Sequence, residues 1–236
     1  MRKLLLATTF AIAGLATLTG NAQALSITTT TATWSGLVGG ANTSINTTNG
    51  LYTDVRWGDQ GSANNKSGLG FDPNAPVTIN INTEFLLGTL KHYNNPISSG
   101  TAASSVNLNL AASITGAVPV SQTFAYQFVI DETPNQTPCQ YPSTAGNPCA
   151  DKITFKNLDT TSAFVINGIN YTIALSGFST DGGNTFSQNF ISQENSSNTA
   201  GLYAMLTAAT PVPEPASLAL LGAGLIGVGA ARRLRS

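Results

Sequence analysis

Side chains able to carry out acid–base or nucleophilic chemistry are sparse in this sequence. Only 9% of the residues are charged, and His92 is the single histidine. A Ser-His-Asp triad would have to use His92, but the chain has no Gly-x-Ser-x-Gly elbow to present a nucleophile. The turn-forming residues of segment 91–97 favour a hydrogen-bonded His92 within a turn. We therefore expect no catalytic residue and no enzyme activity.

Carboxylates offer a second route to chemistry, either glycoside hydrolysis or metal binding. Asp131 and Glu132 are adjacent on an extended segment, so their side chains should point to opposite faces and not form a catalytic pair. The turn 181–184 and the loop around Asp59 contain oxygen ligands without the Asp-x-Asp-x-Asp-Gly spacing of a calcium loop. Both segments have the composition of ordinary turns. We predict no metal ion and no cofactor.

The N-terminus predicts export. Arg2 and Lys3 precede the apolar stretch 4–18, and the small residues Ala22 and Ala24 form a small-x-small cleavage site. This pattern is typical of a secretory signal peptide over residues 1–24, cleaved after Ala24. An uncleaved transmembrane helix is the alternative, which the threonines of the stretch disfavour.

The C-terminus contains a proline-rich pentapeptide, an uncharged span of sixteen residues (216–231) and an arginine cluster. Proline fixes φ and removes an N–H, so the pentapeptide should be extended. Sixteen helical residues reach about 24 Å, short of the roughly 30 Å hydrocarbon core of a bilayer. We predict a single hydrophobic helix in 216–236 that crosses the membrane transiently. A permanent anchor is the alternative.

These three parts together resemble the PEP-CTERM sorting signal of Gram-negative bacteria. The residues that carry the resemblance are Pro213, Glu214, Pro215, Arg232, Arg233 and Arg235. The resemblance implies recognition by exosortase, a membrane-embedded transpeptidase. It implies a transient stay in the inner membrane, followed by delivery to the cell surface or extracellular matrix. It covers about the last 25 residues and implies a route rather than an activity.

The exported part of the chain is acidic. Ten of the eleven acidic residues lie in 25–210 but only five of the ten basic ones, a difference of −5. Binding to nucleic acid depends on clustered lysines and arginines, so we expect no nucleic-acid partner. Cys139 and Cys149 form an even, closely spaced pair in an exported chain, which predicts a disulfide.

Short β-branched and alternating segments separated by turn residues predict an all-β domain, an antiparallel β-sandwich with jelly-roll-like connectivity. The first strand should cover 26–34, and alternation over 124–130 predicts a central strand. Asn167-Gly168 between two apolar runs predicts a hairpin turn. The expected order is a signal peptide (1–24), the exported domain (25–205), a stalk with the PEP motif (206–215) and the sorting helix (216–236).

The segment around His92 resembles the motif of the THxN family of PEP-CTERM proteins, related to a choice-of-anchor exported β-domain. His92 and Asn94 keep the His-x-Asn core, whereas Lys91 stands where the family has threonine. Matching pieces extend over most of 34–178. The resemblance implies an exported domain of uncharacterised function and transfers no catalytic residue.

The leading hypothesis is a non-enzymatic exported protein of the cell surface or biofilm matrix, associated with exopolysaccharide. One alternative is a carbohydrate-binding module in which Trp34, Trp57 or Tyr93 stacks on sugar rings. A hydrolase that depends on His92 is the other.

Overall fold

The computed structural model describes residues 25–48, 51–59, 66–115, 119–145, 148–157, 163–166 and 168–209. The predicted signal peptide, PEP motif and sorting helix lie outside these ranges. Among the described residues there is no helix with the length and apolar character needed to span a bilayer.

The secondary structure of the described ranges consists of thirteen strands in two antiparallel sheets. They are β1 (Leu25–Gly39), β2 (Ser44–Thr48), β3 (Tyr52–Trp57), β4 (Ser67–Pro73), β5 (Val77–Ile79), β6 (Glu84–Asn94), β7 (Ala103–Thr115), β8 (Val120–Asp131), β9 (Asp151–Asn157), β10 (Ala163–Ile166), β11 (Ile169–Ser179), β12 (Asn189–Ser192) and β13 (Ser196–Ala208). One sheet has the order β12-β9-β8-β7-β1-β5, and the other β10-β11-β13-β6-β4-β3-β2. The predicted all-β sandwich is confirmed, while the jelly-roll-like connectivity stays a prediction.

Period-two alternation builds the core between the sheets. On β8 the residues Phe124, Tyr126, Phe128 and Ile130 are buried and their neighbours are half-exposed. As predicted, this strand is interior to its sheet, between β7 and β9. The Phe128 ring packs on Trp34 of β1 and on Phe178 of β11, with ring centroids 5.9 and 6.3 Å apart. Burial of each such side chain contributes roughly 1.5–3 kcal/mol.

Short connections follow the turn chemistry of the sequence. The β10–β11 hairpin pairs Ile166 with Ile169, and Gly168 has a φ of 78°. This left-handed conformation is the one that the Asn-Gly pair predicts. The longer connection from β8 to β9 contains the predicted disulfide, with the Cys139 and Cys149 Cα atoms 5.2 Å apart.

Candidate functional site

Four polar side chains converge at one end of the sandwich, each at a strand end. Glu132 follows β8, Asp151 begins β9, Glu194 lies between β12 and β13, and Asn94 ends β6. The register brings these ends together, because Ser192 pairs with Asp151 and Ser196 pairs with Asn94. We call Glu132, Asp151 and Glu194 the carboxylate cluster.

Strand phase explains why these polar residues face inward. Asn94 continues the inward-facing positions of β6, where Leu90 and His92 are buried. Glu132 lies two residues beyond Ile130 of β8 and therefore continues that strand's buried face. Asp151 and Glu194 extend the buried faces of β9 and β12 in the same way. Four acidic or amide side chains therefore occupy positions that hydrophobic residues fill elsewhere in the sandwich.

The carboxylate cluster is compact, with two of its acids buried and Glu132 partly buried. One oxygen from each of its three acids lies within 4.8 Å of the others. Asp151 is 0% exposed and Glu194 is 1% exposed. Asp151 Oδ1 accepts a hydrogen bond of 2.7 Å from the Thr133 N–H. Among the described residues, Asp151 Oδ2, Glu132 Oε2 and both Glu194 oxygens have no hydrogen-bond partner.

Asn94 is aimed into this cluster. Its side chain is 0% exposed, and its Nδ2 donates a 2.9 Å hydrogen bond to the Ser192 carbonyl. Its Oδ1 has no hydrogen-bond partner in the described ranges. The N–H groups of Asn94 lie close enough to Asp151 to lower the pKa of that carboxyl, and those of Asn135 and Asn94 lower the pKa of Glu194. The Asn94 amide therefore borders the carboxylates through its nitrogen, and its buried oxygen is an acceptor without a donor among the described residues.

Burial and mutual repulsion dominate the electrostatics of the cluster. Burial, followed by the charges of Asp151 and Glu194, raises the pKa of Glu132 to about 9. Burial and then the Asp151 charge raise the pKa of Glu194 to about 7. Burial also raises the pKa of Asp151 to about 6, against the opposing hydrogen bonds from Thr133. Three carboxylates this close cannot all ionise at neutral pH unless a cation balances them.

A surface cleft connects the cluster to solvent through Glu132. The cleft has a volume of about 370 Å³ and is lined by segments 97–100 and 132–136 together with Ala102. It is wide enough for water or an ion. Asp151 and Glu194 are buried and do not line the cleft, so a molecule in the cleft has one acid of the cluster beside it. Cation binding and proton sharing are the chemistry that this arrangement supports.

The family-motif residues His92 and Asn94 lie on strand β6, which corrects the prediction of a turn here. Their alternation with half-exposed Lys91 and Tyr93 explains the extended structure. His92 is 0% exposed, and neither ring nitrogen has a hydrogen-bond partner among the described residues. The expected hydrogen bond across a turn is therefore wrong. Burial, and then the Arg56 charge, lowers the pKa of His92 to about 3.

Two other sequence-based candidates have structural roles. The Asp181 carboxylate accepts hydrogen bonds from Ser179 Oγ at 2.7 Å, the Thr185 N–H at 3.0 Å and Thr185 Oγ1 at 2.7 Å. These bonds hold its own loop, in agreement with the turn interpretation. Trp34 and Trp57 are 4% and 0% exposed. Neither indole is accessible to a sugar ring, so both belong to the core.

Tyr93 is the aromatic candidate that faces outward. The Arg56 guanidinium carbon lies 3.2 Å from the centroid of its ring, and Lys91 Nζ lies 4.4 Å from it. The Tyr93 hydroxyl is hydrogen-bonded to that of Tyr52 on β3. We call Tyr52, Arg56, Lys91 and Tyr93 the outer platform. It is a basic and aromatic surface on the outer face of the seven-stranded sheet, and the Arg56 Nε also pairs with Asp54 Oδ1 at 3.2 Å.

The carboxylate cluster was missed by reasoning from the sequence, which treated Asp131 and Glu132 only as a possible catalytic pair. The two do point apart: Asp131 bonds outward to Tyr141 and Lys152, while Glu132 joins the cluster. The available signal was the strand phase. An acid that continues a buried face, as Glu132 does beyond Ile130, is expected to be at least partly buried, and buried acids need a partner.

Comparison with protein families places the chain in a class of exported protein. The PEP-CTERM protein-sorting motif matches residues 211–235. The motif identifies an exported protein that exosortase sorts to the cell envelope or surface, and it confirms the predicted PEP-CTERM signal. No curated protein matches the chain significantly.

Proposed function

We propose that this chain is a non-enzymatic protein of the cell surface or extracellular matrix of a Gram-negative bacterium, associated with biofilm exopolysaccharide. The observation that carries the proposal is the sorting motif at 211–235. The route that we infer has three steps. The signal peptide is removed after Ala24, segment 216–236 holds the chain briefly in the inner membrane, and exosortase processes the chain near Glu214. We further infer that 34–178 is a THxN-type domain.

Burial of the reactive groups supports a non-enzymatic role. The single histidine has no exposed surface, and its lowered pKa keeps the ring neutral at physiological pH. Asp151 and Glu194 are almost fully buried, and of the three acids only Glu132 lines the cleft. A hydrolase that depends on His92 would need the ring to reach a bound substrate.

Fractionation of the native host tests the sorting step. The full chain should leave the inner membrane and reach the surface or medium in a strain with exosortase, and should accumulate in the inner membrane when exosortase is deleted. Glu214→Ala should reproduce that accumulation, whereas Glu84→Ala, which removes an exposed acid from β6, should not. Mass spectrometry of the exported protein would show where the chain ends. Retention in the inner membrane despite active exosortase would overturn the proposal.

Carbohydrate binding is a second candidate function, and the outer platform is the observation that favours it. The arginine and lysine on the Tyr93 ring, with the Tyr52 hydroxyl beside them, place hydrogen-bond donors around an aromatic surface. Anionic polysaccharides carry the carboxylate or sulfate groups that such donors bind. The platform therefore suits an acidic glycan better than a neutral one.

Pull-down with exopolysaccharide isolated from the host tests this second candidate. Tyr93→Ala and Arg56→Gln should each reduce retention at least tenfold. Tyr203→Ala, on β13 of the same sheet and packed on Phe186 instead, is the matched control and should bind normally. Equal retention of all variants would refute binding of the polysaccharide by the outer platform.

A further inference from the structure

We infer that the carboxylate cluster and Asn94 form a buried Ca²⁺ site that joins the two sheets at this end of the sandwich. The inference goes beyond the sorting route and the surface role, and it does not depend on either. It rests on the donor set, the burial and the free oxygen atoms described above.

The donor set is made entirely of oxygen. Glu132, Asp151 and Glu194 supply three carboxylates, and Asn94 adds a neutral amide oxygen. Calcium takes six to eight oxygen ligands from carboxylates, amide and backbone carbonyls and water. The Glu132 side of the site faces the cleft, from which water can complete the coordination. His92 is not part of the compact group, so the nitrogen and sulfur ligands that zinc prefers are missing from it.

The unpartnered oxygens are the second line of support. Asn94 Oδ1 is fully buried and has no donor among the described residues, although its amide nitrogen is engaged with Ser192. Both Glu194 oxygens, at 1% exposure, also lack a partner at hydrogen-bond distance, although the Asn135 and Asn94 amides lie near enough to lower the pKa of this carboxyl. Buried acceptors in folded proteins are nearly always satisfied. A cation in contact with all four side chains would satisfy them together.

The charge of the site points the same way. In the described ranges the ion pairs are Arg56 with Asp54 and Lys152 with Asp131, and neither includes an acid of the cluster. A buried group of like charges without a counter-charge is strongly unfavourable. A divalent ion offsets most of this charge. Mg²⁺ fits less well, because it keeps several of its waters and requires near-ideal octahedral geometry.

The position of the site gives it a structural role. Glu132 and Asp151 come from strands of the six-stranded sheet, and Asn94 comes from the seven-stranded sheet. Glu194 lies in the connection from β12 to β13, which crosses from one sheet to the other. A bound ion therefore fixes both sheets and this crossing at a single point.

Thermal unfolding of the exported protein tests the site. The protein is stripped with EDTA, dialysed and titrated with CaCl₂. At 1 mM CaCl₂ we expect the Tm to rise by roughly 5 °C or more, and MgCl₂ at the same concentration to give less than half of that rise. Glu194→Gln should abolish the rise, and Glu84→Gln, which removes the same charge from an exposed position, should retain it.

Glu194→Gln also separates a ligand from a merely structural acid. Because Glu194 adds to the repulsion within the cluster, its substitution should raise the Tm in EDTA while lowering it in CaCl₂. A residue with only a packing role would change the Tm equally in both. If wild type shows no Ca²⁺-dependent rise, or if Glu194→Gln keeps the full rise, the inference is wrong.

Terbium luminescence gives a direct readout of binding. The Trp57 N–H lies close enough to the Glu132 carboxyl to lower its pKa, so a Tb³⁺ ion in the site should be sensitised by this indole. Ca²⁺ should displace it at least tenfold more effectively than Mg²⁺. Asn94→Leu, which removes the neutral ligand without altering the charge, should weaken Ca²⁺ competition tenfold or more. Zn²⁺ displacing Tb³⁺ better than Ca²⁺, or signal that survives Glu194→Gln unchanged, would overturn the assignment.

Discussion

Replacement of both cysteines by serine should destabilise the domain by an amount that the loop size sets. The Cys139–Cys149 bond closes a loop with a sequence separation of 10. For a loop of this size the chain-entropy relation gives about 3 kcal/mol. The loop also lies between Glu132 and Asp151, so the bond limits the separation of two acids of the cluster in the unfolded chain.

Urea unfolding followed by tryptophan fluorescence measures this effect, because Trp34 and Trp57 are buried and both report on the core. With a slope near 2 kcal/mol per molar urea, the double serine variant should unfold at a midpoint lower by about 1.5 M.

Reduction of the wild-type protein, followed by blocking of the thiols, is the matched control. It should reproduce the shift of the serine variant, since both remove the covalent link and leave the rest of the loop intact. A midpoint that stays within about 0.3 M of wild type in the variant would refute the loop-closure argument. A shift in the variant that reduction fails to reproduce would assign the effect to the substituted side chains.

Three further predictions concern single positions. Tyr126→Phe should stabilise the domain by about 1–3 kcal/mol in urea unfolding. The buried Tyr126 hydroxyl has no hydrogen-bond partner in the described ranges, so the cost of removing it from water is not compensated. A loss of stability would show that the hydroxyl has a partner. Gly88→Ala should lower the free energy of unfolding by about 1–3 kcal/mol in the same assay. An added Cβ would lie 2.4 Å from the Phe71 ring and 2.6 Å from a backbone oxygen. An unchanged urea midpoint would show that β6 can shift to make room. Hydrogen bonds, first from the Thr185 hydroxyl, lower the pKa of Asp181 to about 2. The unfolded chain therefore takes up this proton first, and the stabilising effect of Asp181, present above about pH 4, should disappear as the pH falls to about 2. In urea unfolding, Asp181→Asn should have a lower free energy of unfolding than wild type at pH 6 and the same one near pH 2. A difference that does not depend on pH would contradict this account.

Local patterns were sufficient to predict most of the fold. Alternation over 124–130 predicted both the buried face of β8 and its interior position, which the structure confirms. The Asn-Gly pair at 167–168 predicted the β10–β11 hairpin, whose strands are close in sequence. These features depend on neighbouring residues, and such residues are what a sequence pattern encodes.

The carboxylate cluster depends instead on contacts between distant parts of the chain. The Asn94 amide bonds to the carbonyl of Ser192, 98 residues away. Which strand end meets which is decided by the order of strands in the two sheets, and local propensity does not contain that order. The turn predicted at 91–97 failed for a related reason, because pairing of β6 with β4 and β13 overrode the turn-forming residues near its end.

The sandwich end that contains the disulfide and the carboxylate cluster also bears on the folding state of the chain before export. The disulfide forms only in an oxidising compartment, because cytoplasmic thiols are kept reduced. The inferred ion binds only when its ligands are assembled, so its binding energy is added to folding. Before export, this end therefore holds two free thiols and three mutually repelling acids. We therefore expect the domain to be less stable in the cytoplasm than after export.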